Sequence, residues 1–262
     1  MTKKFKNIVF IPAYNCETQI LRVLDKLRVH QDFFDQVLVI DNCSTDKTVS
    51  VARDFIRNKS LSNFNVLINT ENLSLGGSHK VAFRYALEQD FSHITVLHGD
   101  DQGDFTDLCP HLRSGDAFKF DCILGSRFNR NSRLIGYSKF RIFGNKVLNA
   151  FCSFCTGSKI EDMGAGLNLY NVEVLRKSNF INFPDDLTFN VFLLFEHGLN
   201  KENYTFIPIS WRELDQTSNA KLFRQAFRIL CLGIKTFINP NHLKTIQNLS
   251  ARSYDYDSSK LS

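Results

Sequence analysis

Strand-like and helix-like segments alternate four times within the first hundred residues, and this alternation limits the fold more than any other feature of the chain. Asn7 to Ile11 is a short apolar strand, and Cys16 to Leu27 carries Ile20, Leu21, Leu24 and Leu27 at helical spacing. Val37 to Ile40 reads as a second strand. The turn Asp41-Asn42-Cys43-Ser44 follows it and offers Ser44 as the cap of a helix from Thr45 to Ile56. Asn65 to Ile68 is the third strand. Gly76 and Gly77 open the next helix, with Val81, Ala82, Tyr85 and Ala86 for its buried side. Ile94 to Leu97 is the fourth strand, and the polar loop Gly99 to Asp104 follows it. Four strand–helix units in succession predict a mostly parallel sheet covered on both faces, a three-layer α/β/α sandwich. Further along, strands are expected at Cys122 to Leu124, Gly166 to Tyr170 and Tyr204 to Ile209, and a helix at Pro184 to Glu196. The stretch from Leu124 on to Lys159 reads as less regular.

The chain has 262 residues, of which 43% are hydrophobic and 23% charged, a globular composition and not a disordered one. A net charge of +5 is too small to imply nucleic acid. No apolar run reaches the roughly 20 residues that cross a bilayer. The N-terminal apolar stretch is broken by Pro12 and Asn15 and lacks a cleavage site, so no signal peptide is expected. Seven cysteines, an odd number, fit a reducing cytoplasm. Cys152 and Cys155 form a lone CxxC with no second pair to complete a zinc site, and are expected to pack on one helix face.

Open parallel sheets bind ligands outside the carboxyl ends of their strands. Those ends read Pro12-Ala13-Tyr14-Asn15, Asp41 to Asp46, Asn72 to Gly77 and His98 to Asp104. The G-x-G-x-x-G of dinucleotide sites and the P-loop are both absent. Phosphates must then be neutralised in another way, and His98-Gly99-Asp100-Asp101-Gln102 supplies one. In extended backbone His98, Asp100 and Gln102 point to one side, a donor set suited to Mn²⁺ or Mg²⁺ completed by phosphate oxygens, while Asp101 points elsewhere.

Several motifs then occur in a familiar order. Ile11-Pro12-Ala13-Tyr14-Asn15 resembles P-x-Y-N, Asp41 to Asp46 resembles D-[DN]-x-S-x-D, and Asn72 with Gly76 and His79 resembles N-x-G-x-x-x-A-x. Gly125-Ser126-Arg127 matches G-S-R, and Asp162 to Tyr170 resembles D-x-x-[ST]-G-x-[RN]-x-Y. Over about residues 5 to 235 the chain is thus similar to inverting glycosyltransferases of family 2 with a GT-A fold, and among them to the polyprenyl- and dolichyl-phosphate sugar transferases. The resemblance implies transfer of a sugar from a nucleoside-diphosphate donor, assisted by a divalent metal. It implies that Pro12, Ala13, Tyr14, Asn15 and Asp41 hold base and ribose, with Asp46, Lys80 and Asp100 also on the nucleotide side. His98, Asp100 and Gln102 take the family's D-x-D-x-Q metal positions, with His98 in place of the first carboxylate.

On the acceptor side the resemblance implies Arg127 and Arg141 as a phosphate cradle, joined by Asn145 and Lys221. Glu161 and Asp162 are the candidate bases, and Asp162 matches the catalytic acceptor-side position beside Asp100. An alcohol acceptor needs such a base, whereas a lipid phosphate is already ionised and needs cations instead. Asn168 stands where many members carry an Arg, and R-x-x-G-x-S-K appears only loosely, as Arg212 followed by residues 216–221.

Between Gln216 and Ser253 there are six basic residues and no acidic one. From Asn219 to Ile238 the basic residues fall on one helical stripe and Phe223, Phe227, Leu230, Ile234 and Phe237 on another. This segment is either a helix packed on the domain or one lying at an anionic membrane surface. The expected organisation is a catalytic domain over 1–215, a basic amphipathic segment over 216–248 and a mobile tail over 249–262. The expected location is the cytoplasmic face of a membrane, and the expected partners are a sugar nucleotide, a lipid-linked acceptor and, in a homodimer, a second copy. Two rival readings are a sugar-1-phosphate nucleotidyltransferase and a non-catalytic sugar-nucleotide-binding protein. The first wants a Gly-rich, Arg-containing loop after the first strand, which Pro12 to Asn15 does not supply.

Overall fold

The structure, a computed structural model, describes residues 5–214, 222–247, 249 and 256. The first half runs β1 (Asn7–Ala13), α1 (Gln19–Arg28), β2 (Gln36–Asp41), α2 (Thr48–Asn58), β3 (Phe64–Ile68), α3 (Ser74–Glu88) and β4 (His93–Leu97). Then come α4 (Cys109–Ser114), β5 (Cys122–Ser126), β6 (Arg133–Ile135), α5 (Lys139–Thr156), β7 (Leu167–Asn171) and α6 (Val172–Lys177). The chain continues with α7 (Phe189–Leu199), β8 (Tyr204–Pro208), β9 (Ser210–Arg212), α8 (Leu222–Ile238) and α9 (His242–Thr245).

The main sheet has the order β3-β2-β1-β4-β7-β5-β8. It is parallel except for β7, which runs antiparallel between β4 and β5. Both faces are covered, which is why the strands read as unbroken apolar runs. Ile8 and Phe10 of β1 enter a core with Val81 and Ala82 of α3 and Phe189 of α7. Val9 and Ile11 enter the opposite core with Ile20 and Leu24 of α1 and Ala52 of α2. A second small sheet pairs β6 with β9, and Gly103 bridges to Trp211, so the loop after β4 is tied to that sheet.

Three local expectations are corrected. Helix α2 starts at Thr48, not Thr45, and Ser44 does not cap it. The Ser44 N–H and hydroxyl donate back to Asp41 at 2.9 and 2.5 Å, while Asp46 accepts from the Thr48 N–H at 2.9 Å. The helix expected from Pro184 begins at Phe189, because the Asp185 carbonyl accepts from the Gly76 and Gly77 N–H groups at the start of α3. The stretch read as less regular holds an 18-residue helix, α5. Its outward side carries Phe140, Phe143, Val147 and Phe154 while Cys152 and Cys155 are buried on the inner side, so apolar residues surround it and blur the 3.6-residue period.

Helix α8 packs on α5, and its Ile229, Leu232, Gly233 and Thr236 are buried. A Cβ at Gly233 would lie 2.6 Å from the Phe151 ring, so glycine sets how closely the two helices approach. The expected start of this helix at 219–221, including Lys221, and the loose motif over 216–221 lie outside the described residues. The tail expected to be mobile lies outside them too, apart from Leu249 and Tyr256.

Candidate active site

The loops after β1, β2 and β4 meet at one edge of the sheet and are laced together. Asn15 accepts from the Thr45 N–H at 2.8 Å and its own N–H donates to Ser44 at 2.9 Å. The Cys16 N–H donates to Thr48 at 2.8 Å, and the Glu17 N–H donates to Asp46 at 3.1 Å. The Gly99 N–H donates to the Pro12 carbonyl at 3.1 Å, and a side chain at Gly99 would press on that same carbonyl. Pro12 to Asn15, Asp41 and Asp46 are thus brought together, with Tyr14 exposed at the rim. Behind them Asn42, Asn69, Asn72 and Ser78 share hydrogen bonds that fix the turn after β2 against the start of α3.

The loop after β4 separates its two adjacent carboxylates. Asp101 adopts a left-handed backbone (φ 58°) and turns into the protein, where it meets Arg22 at 2.6 Å, Lys26 at 3.1 Å and Arg212 at 2.9 Å. Asp100 is left at the site. Burial, with Asp101 and Glu213 nearby, raises its carboxyl to about 6. His98 packs deeper, against Gly166, where a Cβ would lie 2.8 Å from its ring, and edge-on to His79. Burial first, then Arg127, pushes His98 down to about 4, and its Nε2 is enclosed with no hydrogen-bond partner among the described residues.

These donors suit a divalent cation. A carboxylate whose charge is penalised by burial gains from a cation, and a neutral imidazole with an unused nitrogen is in its ligating form. Asp100 is the stronger part of the set, because His98 is wedged between Gly166 and His79. Among the described residues another titratable group, Cys122, His197 and Glu202, lies at the opposite edge of the sheet. There His197 turns Nε2 to the Cys122 sulfur at 3.7 Å and Nδ1 to Glu202. One ring nitrogen for each neighbour makes a hydrogen-bonded relay joining β5 to the end of α7, not a cage that a single ion can share.

Arg127 and Asp162, which the resemblance assigns to the acceptor, are committed to each other. The guanidinium meets the carboxylate through Nε at 2.8 Å and Nη2 at 2.7 Å, and the Arg127 and Gly164 N–H groups add bonds at 2.8 and 2.9 Å. Asp162 accepts from every side in this arrangement and is not poised as a base, and Arg127 is held as its counterion. Glu161 is held by Lys159 at 2.6 Å and by Asn129 at 3.2 Å. Arg141 lies over the Tyr137 ring and pairs with Glu213 at 2.5 Å, while Asn145 donates to the Arg141 carbonyl one turn earlier. Lys80 does not reach the loops after β1, β2 and β4. Its buried ammonium donates to Asp185 at 2.8 Å, to the Phe183 carbonyl at 2.5 Å and to Tyr256 at 3.3 Å. Asn168, in the Arg position, points into the sheet interior, accepting from the Gly125 N–H and donating to the Ala165 carbonyl. Sequence reasoning missed Glu213, which joins Arg141 to the field around Asp100; its only signal is its place directly after Arg212 at a strand end.

Comparison with known proteins bears on the fold and the family. Polyprenol monophosphomannose synthase of Mycolicibacterium smegmatis is 23% identical over 235 residues, covering 88% of each chain. Glucosyl-3-phosphoglycerate synthase of Mycobacterium tuberculosis, solved with Mn²⁺, uridine diphosphate and phosphoglyceric acid, shares the fold with a TM-score of 0.64. It is 14% identical, with 90% of this chain and 79% of that one covered. Residues 1–349 of TarS from S. aureus, solved with UDP-GlcNAc, superpose with a TM-score of 0.59 at 19% identity, covering 88% of this chain and 66% of that one. The fold is therefore the GT-A fold. The family model described as glycosyl transferase family 2 matches residues 8–178, which include the loops after β1, β2 and β4 and the Arg127–Asp162 pair, and the chain belongs to that family of glycosyltransferases.

Proposed function

We propose that the chain transfers a sugar from a nucleoside-diphosphate donor, with inversion, to a polyprenyl phosphate or related lipid-linked acceptor at the cytoplasmic face of a membrane. The observation that carries the acceptor class is the saturated Asp162. An acceptor hydroxyl needs a general base, and the matching carboxylate is already filled by Arg127 and two N–H groups. A phosphate acceptor is ionised and needs none. Its oxygen attacks the anomeric carbon, and the bond to the departing diphosphate breaks with its electron pair on the leaving group. Arg141, part-exposed at the site and oriented by Tyr137 and Glu213, is the cation that meets the acceptor phosphate. The similarity to a polyprenol monophosphomannose synthase supports the same class.

On the donor side, Tyr14 and Asn15 flank the base, and Asp41 is placed to accept from base or ribose once the Ser44 hydroxyl, which donates to it, turns away. Asp100 holds the divalent ion, with His98 and Gln102 as flanking donors. The bound ion supplies positive charge where negative charge collects on the diphosphate. The solved relatives that carry uridine diphosphate and Mn²⁺ support this side of the reading.

Two measurements test it. In a thermal-shift panel of UDP, GDP, CDP and dTDP, each with and without Mn²⁺, one nucleotide with Mn²⁺ is expected to stabilise the protein. At a hundred times its dissociation constant a ligand adds about 2.7 kcal/mol. No shift with any of the four defeats the donor reading. For the acceptor, Asp162→Asn is expected to keep a substantial part of the rate on a lipid phosphate, and Arg141→Ala to raise the acceptor's apparent binding constant far more than the donor's. A loss of about 10²–10⁴ in rate for Asp162→Asn, with a mild Arg141→Ala, marks a hydroxyl acceptor instead.

A further inference from the structure

More than half of the large apolar side chains exposed among the described residues lie on two helices that touch, α5 and α8. On α5, Phe140, Phe143 and Phe154 are 78%, 68% and 70% exposed. On α8, Phe227, Ile234, Phe237 and Ile238 are all more than half exposed. The two strips join where Phe154 stacks on Phe237, ring centroids 5.3 Å apart, so they form one continuous apolar face. A face of this extent on a soluble chain marks an interaction surface.

Charge indicates what covers it. Lys139 and Lys146, seven residues apart, share an edge of α5, and Arg224 and Lys235, eleven apart, share an edge of α8; all four are exposed. The chain contains no acidic residue between Phe128 and Ile160 or between Gln216 and Ser253. The apolar face is thus bordered by cations drawn from two acid-free segments. A second copy seated on it would set basic edge against basic edge, since a two-fold contact uses the same patch twice. An anionic bilayer meets both demands at once, apolar depth for the rings and negative headgroups for the borders. Among the described residues no helix is long and apolar enough to cross a membrane, so the pair lies on the bilayer instead of spanning it.

We propose that α5 and α8 together form the surface by which this protein docks on an anionic lipid bilayer. The assignment deepens the lipid-linked acceptor reading by naming the membrane-facing side, although its evidence is independent of that chemistry. It also gives α5 two jobs. The outward side enters the lipid, while Arg141 and Asn145 on the inward side face Tyr137 and Glu213 at the site's edge. A lipid headgroup lifted from the bilayer therefore meets the acceptor-side cation on the same helix.

The full-length chain tests this by sedimentation with phosphatidylglycerol/phosphatidylcholine vesicles and with pure phosphatidylcholine vesicles, at low and high salt. Binding is expected only to the anionic vesicles, and to fall with salt. Each basic residue at such a surface strengthens binding about fivefold, so Lys139→Glu, Lys146→Glu and Lys235→Glu combined should weaken it at least about a hundredfold. Phe143→Glu and Phe227→Glu, both at exposed positions, should each weaken it at least tenfold with an unchanged melting temperature. Absence of binding to anionic vesicles, or binding indifferent to both sets of variants, overturns the proposal. So does a concentration-dependent dimer of the native chain that Phe143→Glu dissociates, which would assign the face to a second copy. Transfer to polyprenyl phosphate in detergent, measured alongside, separates the two readings. Vesicle binding without such transfer removes the acceptor assignment alone, and transfer without vesicle binding removes the docking surface alone.

Discussion

Asp100 and Asp101 are adjacent carboxylates in opposite circumstances. Asp101 is surrounded by Arg22, Lys26 and Arg212 and holds the loop in place, whereas Asp100 is raised to about 6, first by burial. A carboxyl whose pKa rises on folding binds its proton more tightly in the folded chain, so its ionisation costs stability as pH rises from about 4 through about 6. Asp100→Asn should remove that cost. We expect this variant, in chelator at pH 8, to melt at or above the temperature of the native protein while transfer is lost. In the native protein a cation competes with the proton, so the Mn²⁺ needed for half-maximal activity should rise about tenfold per unit once the pH falls below about 6. Full activity of Asp100→Asn, or a Mn²⁺ requirement flat from pH 5 to pH 8, would contradict the role given to this carboxylate. The neighbouring imidazole was legible as a donor by its two-residue spacing from Asp100, but its depth was not. The ring is lodged there by Gly166, a residue nearly seventy positions later whose lack of a side chain makes the space.

Among the elements, the contact between α5 and α8 is the most exposed to a small change. Gly233 faces Phe151 and the Cys155 sulfur, and a Cβ there would come within 2.6 Å of the ring. Gly233→Leu should push α8 off α5. Overpacking of this kind costs about 1–3 kcal/mol, and because the apolar face of α8 is exposed on its other side, the loss should appear as local release and not as unfolding of the sheet. Limited proteolysis should cut near α8 much faster than in the native protein while the main melting transition stays in place; cleavage at the native rate would refute this account. The same pair of helices shows where pattern reading stops. Helix α1 was visible because Ile20, Leu24 and Leu27 recur at helical spacing, and all three are buried on one side. Helix α5 was not, because its outward residues are as apolar as its inward ones, and an element with two apolar sides has no period to read.

At the scale of the whole molecule, the parallel half of the sheet was legible from alternation alone, since each strand end delivers a polar loop to one edge. The pairing of Arg127 with Asp162 was not, because it joins the end of β5 to the loop before β7, and residues so far apart reveal contact only after the sheet is ordered. The Cys122–His197–Glu202 relay was hidden for the same reason, and it affects the stability of the entire chain. Burial pushes His197 down, but Cys122 and Glu202 more than offset this and its pKa is raised. The Cys122 sulfur at Nε2 and the Glu202 carboxylate at Nδ1 are the two groups that hold the imidazolium. A histidine raised on folding contributes its full stability below the ordinary imidazole pKa and loses it as pH rises through the raised value. The melting temperature of the native protein should therefore fall from pH 6.5 towards pH 10 more steeply than that of His197→Gln. Parallel curves for the two proteins would show that the relay is uncharged.

Strand β7 has a consequence for how the chain is made. It is hydrogen-bonded to β4 on one side and β5 on the other, yet it is synthesised after both. As the nascent chain emerges, β1 to β4 can assemble into a four-stranded parallel sheet, but β4 then presents a bare edge, and β5 must wait for both of its neighbours. Uncovered edges recruit strands from other molecules. Synthesis that stalls before Leu167 would thus release a fragment whose loops after β1, β2 and β4 are formed but whose open edge favours aggregation, and only arrival of β7 closes it.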